Sequence, residues 1–192
     1  LTPPQPLDSA ADMLRAFGEV ARPWLEDPDR FGEAQRLFGD GFVALWAATL
    51  KRLTGEPAEP VAAPDPRDAR FRDPQWSEQP LFDCVKQLYL LSSRWAERMV
   101  DEAEGLDPHT RKKAEFYIQQ ITNALAQSNF VLTNPEVLRE TLASSGSNLV
   151  RGMQMLAEDM EAGKGILKIR QSDPANLEVG VNMATTPGKV IY

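Results

Sequence analysis

The 192-residue sequence has a single cysteine, a single histidine and a shortage of positive charge. One cysteine cannot close an intrachain disulfide, and one cysteine with one histidine cannot supply the usual ligands of a zinc site. Lysine and arginine number 21 against 28 acidic residues, a net charge of −7 that repels a polyphosphate and argues against nucleic-acid binding. No apolar run approaches the roughly 20 residues that a membrane helix needs. The opening segment LTPPQPLDSAADM carries no basic stretch ahead of an apolar one, so no export signal is read there. The expectation is a soluble, cytoplasmic protein. With 42% apolar residues, the chain is expected to fold as one compact domain that buries roughly 70% of its unfolded surface, which excludes wholesale disorder.

Proline, in contrast, is abundant: 15 residues, clustered so that they mark joints. Asp29 to Leu53 places Phe31, Ala34, Phe38, Phe42, Leu45, Trp46, Thr49 and Leu53 at helical spacing, while Gly39 and Gly41 predict a kink or a split. Gly55 stops that helix. The following GEPAEPVAAPDP holds four prolines and no periodicity, as a stiff extended linker would. Up to residue 66 there are 6 basic and 11 acidic residues, against 15 and 17 in the remainder, so the first third is the acidic part.

Beyond the linker, Ser77 followed by Glu78 predicts the start of a long helix through Leu81, Val85, Leu88, Trp95, Met99 and Ala103, stopped by Gly105. Asp107 and Pro108 form a start signal for an antiparallel partner with Ala114, Tyr117, Ile118, Ile121 and Leu125 on one face. Asn134 and Pro135 repeat the signal for a short helix with Val137, Leu138, Thr141 and Leu142 inward, broken at Gly146. Leu149, Met153, Leu156 and Met160 then space a further amphipathic helix from Ser147 to Gly163. Past Gly165 the pattern changes: Leu167 to Arg170, preceded by Ile166, alternates like a short strand. Residues 176–183 are ambiguous, and Gly188 before Lys189 to Tyr192 reads as a turn into a second strand. The expected organisation is an acidic helical segment at 1–54, a proline-rich linker at 55–66, a helical bundle at 67–165 and a β-like segment at 166–192. Because the chain opens on leucine and closes on Val190, Ile191 and Tyr192, a longer native chain is expected on both sides.

Candidate chemistry is sparse. Cys84 is the one available thiol nucleophile, yet it lies in LFDCVKQLYLL without the glycines of a nucleophile elbow, and its plainest role is a packed core cysteine. His109 falls at a helix start, as a solvent-exposed first-turn residue. Gly39, Gly41 and Ala44 spell a dinucleotide-loop pattern, but within a helical stretch rather than between a strand and a helix. Gly163 with Lys164 and Gly188 with Lys189 each lack the glycine five residues before the first of the pair that a phosphate loop requires. Glu158 and Asp159 adjoin on a helix and point to different faces. Arg111, Lys112 and Lys113 form the one basic triplet and read as an exposed helix face. Arg70 to Trp76, RFRDPQW, puts large rings in a non-helical segment that must pack either on the chain's own helices or on a partner. Trp24, Trp46 and the acidic first third offer a second contact surface, with core filling as the alternative. No catalytic, cofactor-binding or metal-ligating residue is assigned.

Several separate runs, in order, resemble the N-terminal region of class I polyhydroxyalkanoate synthases: RFRDPQWSEQPLF from Arg70, Tyr89 to Trp95, NFVLTNPEVLRETLASSGSNLVRGMQMLAEDMEAGKG from Asn129, and IRQSDPANLEVGVNMATTPGKVIY from Ile169. The resemblance covers about residues 67–192. It implies a cytoplasmic acyltransferase that joins 3-hydroxyacyl units from coenzyme A thioesters into polyester at a granule surface. In that family the nucleophile is a cysteine in a Gly-x-Cys-x-Gly box, with histidine and aspartate, on an α/β-hydrolase domain that follows this region. No position here matches that box, and Cys84 is not its counterpart.

The expected fold is therefore mainly α, an irregular helical bundle whose short C-terminal β segment leads into an absent α/β-hydrolase domain. The expected function is noncatalytic: docking on the catalytic domain, support of a synthase dimer, and association with the granule or with phasin-like granule proteins. The competing expectation is an autonomous helical adaptor, and a reading frame that continues past Tyr192 into a Gly-x-Cys-x-Gly segment separates the two. A third, catalysis by Cys84, is tested by coenzyme A release from the chain and from its Cys84→Ala form.

Overall fold

A computed structural model describes residues 6–163 and residue 181. The described residues are mainly helical: α1 (Pro6–Glu26), α2 (Pro28–Leu53), α3 (Gln75–Glu78), α4 (Pro80–Asp101), α5 (Pro108–Ala124), α6 (Pro135–Ala143) and α7 (Ser147–Gly163), with short 3₁₀ turns at Ala69–Phe71 and Gln127–Asn129. No strand occurs among them. The strands expected at 166–170 and 189–192 lie outside the described residues. The chain divides into two units, Leu1–Arg139 and Glu140–Tyr192.

In the first unit, α2 packs along α4, α1 along α5, and α4 against α5. Helix α1 falls within the helical segment expected at 1–54, but its bounds are not legible in the sequence, because Pro23 lies inside it and its inward positions Ala16 and Val20 are modest apolar residues. The expected break in α2 does not occur. Asp27 caps the helix by accepting from the Arg30 backbone N–H at 3.0 Å, and the helix runs unbroken through both glycines. A β-carbon at Gly41 would meet Leu91 on α4 at 3.4 Å, an ordinary van der Waals contact, and one at Gly39 would meet nothing within 4 Å, so neither glycine is required by its surroundings.

The long helix expected from Ser77 is divided instead into α3 and α4. Gln79 is extended (φ −92°, ψ 118°), the conformation favoured before a proline, and Pro80 becomes the first residue of α4. Gly105 ends the following turn at φ +69°. Asp107 caps α5, accepting from the His109 and Thr110 backbone N–H groups at 3.0 Å each. Asn134 does the same for α6 through Glu136 and Val137.

Two apolar clusters form the core of this unit. Ala16, Val20 and Trp24 of α1 meet Val100, Ala103 and Ala114. Ala62, Phe71 and Trp76 meet Tyr89, Leu90 and Ala126. The aromatic stretch RFRDPQW thus packs on the chain's own helices, with Trp76 only 1% exposed and set edge-on to Phe71 at 5.1 Å.

In the second unit, Ser145 (φ 49°) and Gly146 (φ 83°) reverse the chain between α6 and α7, and the Gly146 N–H returns to the Thr141 carbonyl at 2.8 Å. Leu142, expected inward, is 74% exposed. Along α7, Leu149, Met153 and Leu156 share one face at a spacing of four and three residues and are all solvent-accessible.

Candidate functional site

The segment between α2 and α3 is not a free joint but a strap held on α4. The Gln87 side-chain oxygen accepts from the backbone N–H groups of Val61 at 2.7 Å and Ala62 at 2.9 Å, while its amide donates to Asp83 at 2.6 Å. Asp83 is buried and paired with Lys86 at 2.9 Å and with Arg52 of α2. Lys86 also donates to the Trp76 carbonyl at 2.8 Å, and Arg94 donates to the Ala63 carbonyl. These buried charges each have a partner of opposite sign and further hydrogen bonds, the condition under which burial is tolerated. A second polar knot follows: Arg70 donates to the Tyr89 hydroxyl at 2.8 Å, and that hydroxyl donates to the Thr122 carbonyl at 3.1 Å. Hydrogen bonds from Arg70 hold the Asp68 carboxyl below its usual range, and those from Arg139 do the same for Asp73.

The candidate chemical residues are kept apart. Cys84 is half-buried near the start of α4, and His109 is exposed in the first turn of α5. Tyr89 meets Thr122 while Val100 meets Arg111, so α4 and α5 run antiparallel and hold Cys84 and His109 at opposite ends. Gly39, Gly41 and Ala44 all lie inside α2 and form no loop. The basic triplet is not simply a solvated face. Arg111 donates to the carbonyls of Val100 (2.9 Å), Asp101 (2.6 Å) and Ala103 (2.5 Å), satisfying the end of α4, and Lys113 pairs with Asp12 of α1 at 2.6 Å. Among the described residues, no group of three or more His, Cys, Asp or Glu side chains could hold a metal ion, and no helix is long and apolar enough to cross a membrane.

What this arrangement leaves open is apolar. A groove of about 710 Å³ runs beside α4 and α5, lined by Val85, Leu88, Trp95, Ile121, Leu125 and Phe130 with Ser92, Ser93, Tyr89, Thr122 and Thr133 also on its wall, and no charged residue lines it. A smaller hollow of about 260 Å³ shares Trp95, Ala96 and Ile118 with it and reaches Phe17, Val20 and Trp24 of α1. Trp95 packs on Phe38 at 5.5 Å between ring centres, but its indole nitrogen is buried with no hydrogen-bond partner among the described residues. An unmatched buried donor costs about 1–3 kcal/mol. Trp24, in contrast, donates to the Met99 carbonyl at 2.8 Å and lies under Arg30.

The outer face of α2 is a second apolar surface. Phe42, Val43, Trp46, Leu50 and Leu53 recur at helical spacing and are 38–67% exposed, with Phe42 edge-on to Trp46. The sequence points to Trp46 as a contact residue, and this stripe is where it lies; Trp24 is core. Neither the groove nor the strap was legible beforehand, because a groove is built from residues of four segments and the strap's hydrogen bonds come from its backbone.

Residues 67–192 match the family described as Poly-beta-hydroxybutyrate polymerase (PhaC) N-terminus. The chain belongs to this family. It is similar to the poly(3-hydroxyalkanoate) polymerase of Methylorubrum extorquens, 52% identical over 94% of this chain, and to the poly(3-hydroxyalkanoate) polymerase subunit PhaC of Rhizobium meliloti (strain 1021), 50% identical over 96%. The corresponding subunit of Cupriavidus necator is 32% identical over 86%. The chain spans about 30% of the length of the first two relatives. No solved structure matches it. In the polymerase N-terminal region as seen here, α1, α2 and most of the strap precede the residues that the family covers, yet Arg52, Val61 and Ala62 are bonded to Asp83 and Gln87 inside them.

Proposed function

We propose that this chain is the noncatalytic N-terminal region of a polyhydroxyalkanoate synthase, an acyltransferase that polymerises 3-hydroxyacyl-coenzyme A into polyester with release of coenzyme A. Its work is to dock on an α/β-hydrolase catalytic domain, to support dimerisation, and to bring the enzyme to the cytoplasmic polyester granule or to phasin-like proteins there. The observation that carries this reading is the match to polymerases over about 30% of their length, in the part named as their N-terminus. The geometry supports it: α4 and α5 hold Cys84 and His109 at opposite ends, while two apolar surfaces stand open. Exposed contiguous apolar surface of this kind marks contact with a partner or an apolar phase. In this proposal residues 1–54 are the acidic helical segment, 55–66 the link to the bundle at 67–165, and 166–192 the lead into the catalytic domain.

The test compares the full-length enzyme with a form that starts after residue 192. The expected result is a lower oligomeric state, a longer polymerisation lag and loss of granule association. If all three are unchanged, the proposal falls.

A further inference from the structure

We infer that the outer face of α2 is the surface on which a second copy of this chain docks, the two α2 helices lying antiparallel about a two-fold axis at Trp46. The inference rests on the dimerisation part of the proposed reading and adds to it the surface and the register. The inner face of α2 is committed to α4, with Leu45 and Thr49 buried there, whereas Phe42, Val43, Trp46, Leu50 and Leu53 are left to solvent. This open stripe is symmetric about Trp46. Phe42 and Leu50 stand four residues to either side of it, and Gly39 and Leu53 seven to either side. A two-fold contact demands such a self-complementary patch, because residue i meets residue j while residue j meets residue i; a foreign partner imposes no symmetry. In the antiparallel register Leu53 of one copy lies over Gly39 of the other, where the space around the glycine is open to 4 Å. The two Trp46 rings meet at the centre, the position that aromatic anchors favour in an interface.

Charge sets the direction of the pairing. Asp40 and Lys51 flank the stripe on one side of α2, six residues before Trp46 and five after it, about three helical turns apart. Antiparallel pairing brings Asp40 of each copy beside Lys51 of the other, twice over by symmetry. Parallel pairing sets Asp40 against Asp40 and Lys51 against Lys51, which like charges disfavour. Both side chains are free to take part. Asp40 is 65% exposed and holds only Arg36, one turn away at 2.9 Å, and Lys51 is exposed with no ion pair among the described residues. An uncharged apolar phase supplies a counter-charge to neither of them, so the charged flank favours a second copy over such a phase.

The experiment follows the 192-residue chain by sedimentation velocity at low salt, over a concentration series reaching about 0.5 mM. The unaltered chain is expected to pass from monomer to dimer along the series. Asp40→Lys and Lys51→Asp should each weaken the dimer about fivefold or more, since each turns two attractive pairs into repulsive ones. The double variant Asp40→Lys/Lys51→Asp restores opposite charges across the axis and is expected to return to within about twofold of the unaltered chain. Trp46→Glu is expected to leave only monomer, with the helical circular dichroism intact. An unaltered chain that stays monomeric throughout, a double variant as weak as the single ones, or a Trp46→Glu dimer of undiminished affinity overturns the inference. So does a full-length Trp46→Glu enzyme that dimerises normally and loses only granule association, which would assign the face to the granule. If that enzyme dimerises normally while a form starting after residue 192 does not, the α2 interface fails and the accessory role stands.

Discussion

The side chain of Gln87 and the backbone of Ala62 are joined at 2.9 Å across a gap of 25 residues, with Gln87 1% and Ala62 2% exposed. Through this bond and its companion to Val61, the strap becomes part of the α4 packing layer. Gln87→Leu keeps the approximate volume but strips the acceptor from two N–H groups and a donor from buried Asp83. The expected loss is about 2–4 kcal/mol, read by urea denaturation, with faster hydrogen exchange at the Ala62 amide.

Two glycines in different conformations should respond in opposite directions to alanine. Gly39 lies inside α2 with nothing within 4 Å of an added β-carbon, so Gly39→Ala is expected to stabilise by about 0.5–1 kcal/mol. Gly105 sits at φ +69°, and Gly105→Ala is expected to destabilise by about 1 kcal/mol or more despite open space around it. Thermal melts of the two variants measure both effects.

Asp68 and Asp73 have carboxyl groups held below their ordinary range, chiefly by hydrogen bonds from Arg70 and from Arg139 respectively. A group whose folded-state pKa is depressed contributes stability that is present above its unfolded value, about 3.9, and lost as the pH falls through the folded value. Stability is therefore expected to hold from pH 7 to about pH 5 and to decline steadily below pH 4. The Asp68→Asn/Asp73→Asn variant should be less stable at pH 7 and show a shallower acid decline, as followed by urea midpoints between pH 3 and pH 7.

The α2 stripe separates stability from association. Trp46→Glu and Leu50→Glu replace residues that are 46% and 57% exposed, so the isolated chain should change by no more than about 0.5 kcal/mol. In the full-length polymerase the same variants are expected to reduce dimer formation or granule association, measured by sedimentation and by granule co-purification. Normal behaviour in both assays would remove α2 from the docking surfaces.

Most helix boundaries were legible because their signals are local. Asp107 before Pro108, Asn134 before Pro135, and Gly105 and Gly146 as stops act through one or two neighbouring residues. The continuity of α2 was not, since the penalty of Gly39 and Gly41 is visible in the sequence while the packing of α2 along α4 that holds the helix together is not. Arg111 illustrates the same limit: in a run of three basic residues it looks solvated, yet its three carbonyl acceptors come from the end of a different helix. The groove depended on tertiary placement throughout, because Phe38, Trp95, Ile121 and Phe130 each look like ordinary core residues in their own segments.

The uneven burial of the tryptophans gives the molecule an internal optical gauge. Trp24 and Trp76 are 3% and 1% exposed, whereas Trp46 on the outer face of α2 is 46% exposed. Acrylamide should thus extinguish the emission of Trp46 early while Trp24 and Trp76 stay shielded, and the accessible fraction should vanish when anything settles on α2.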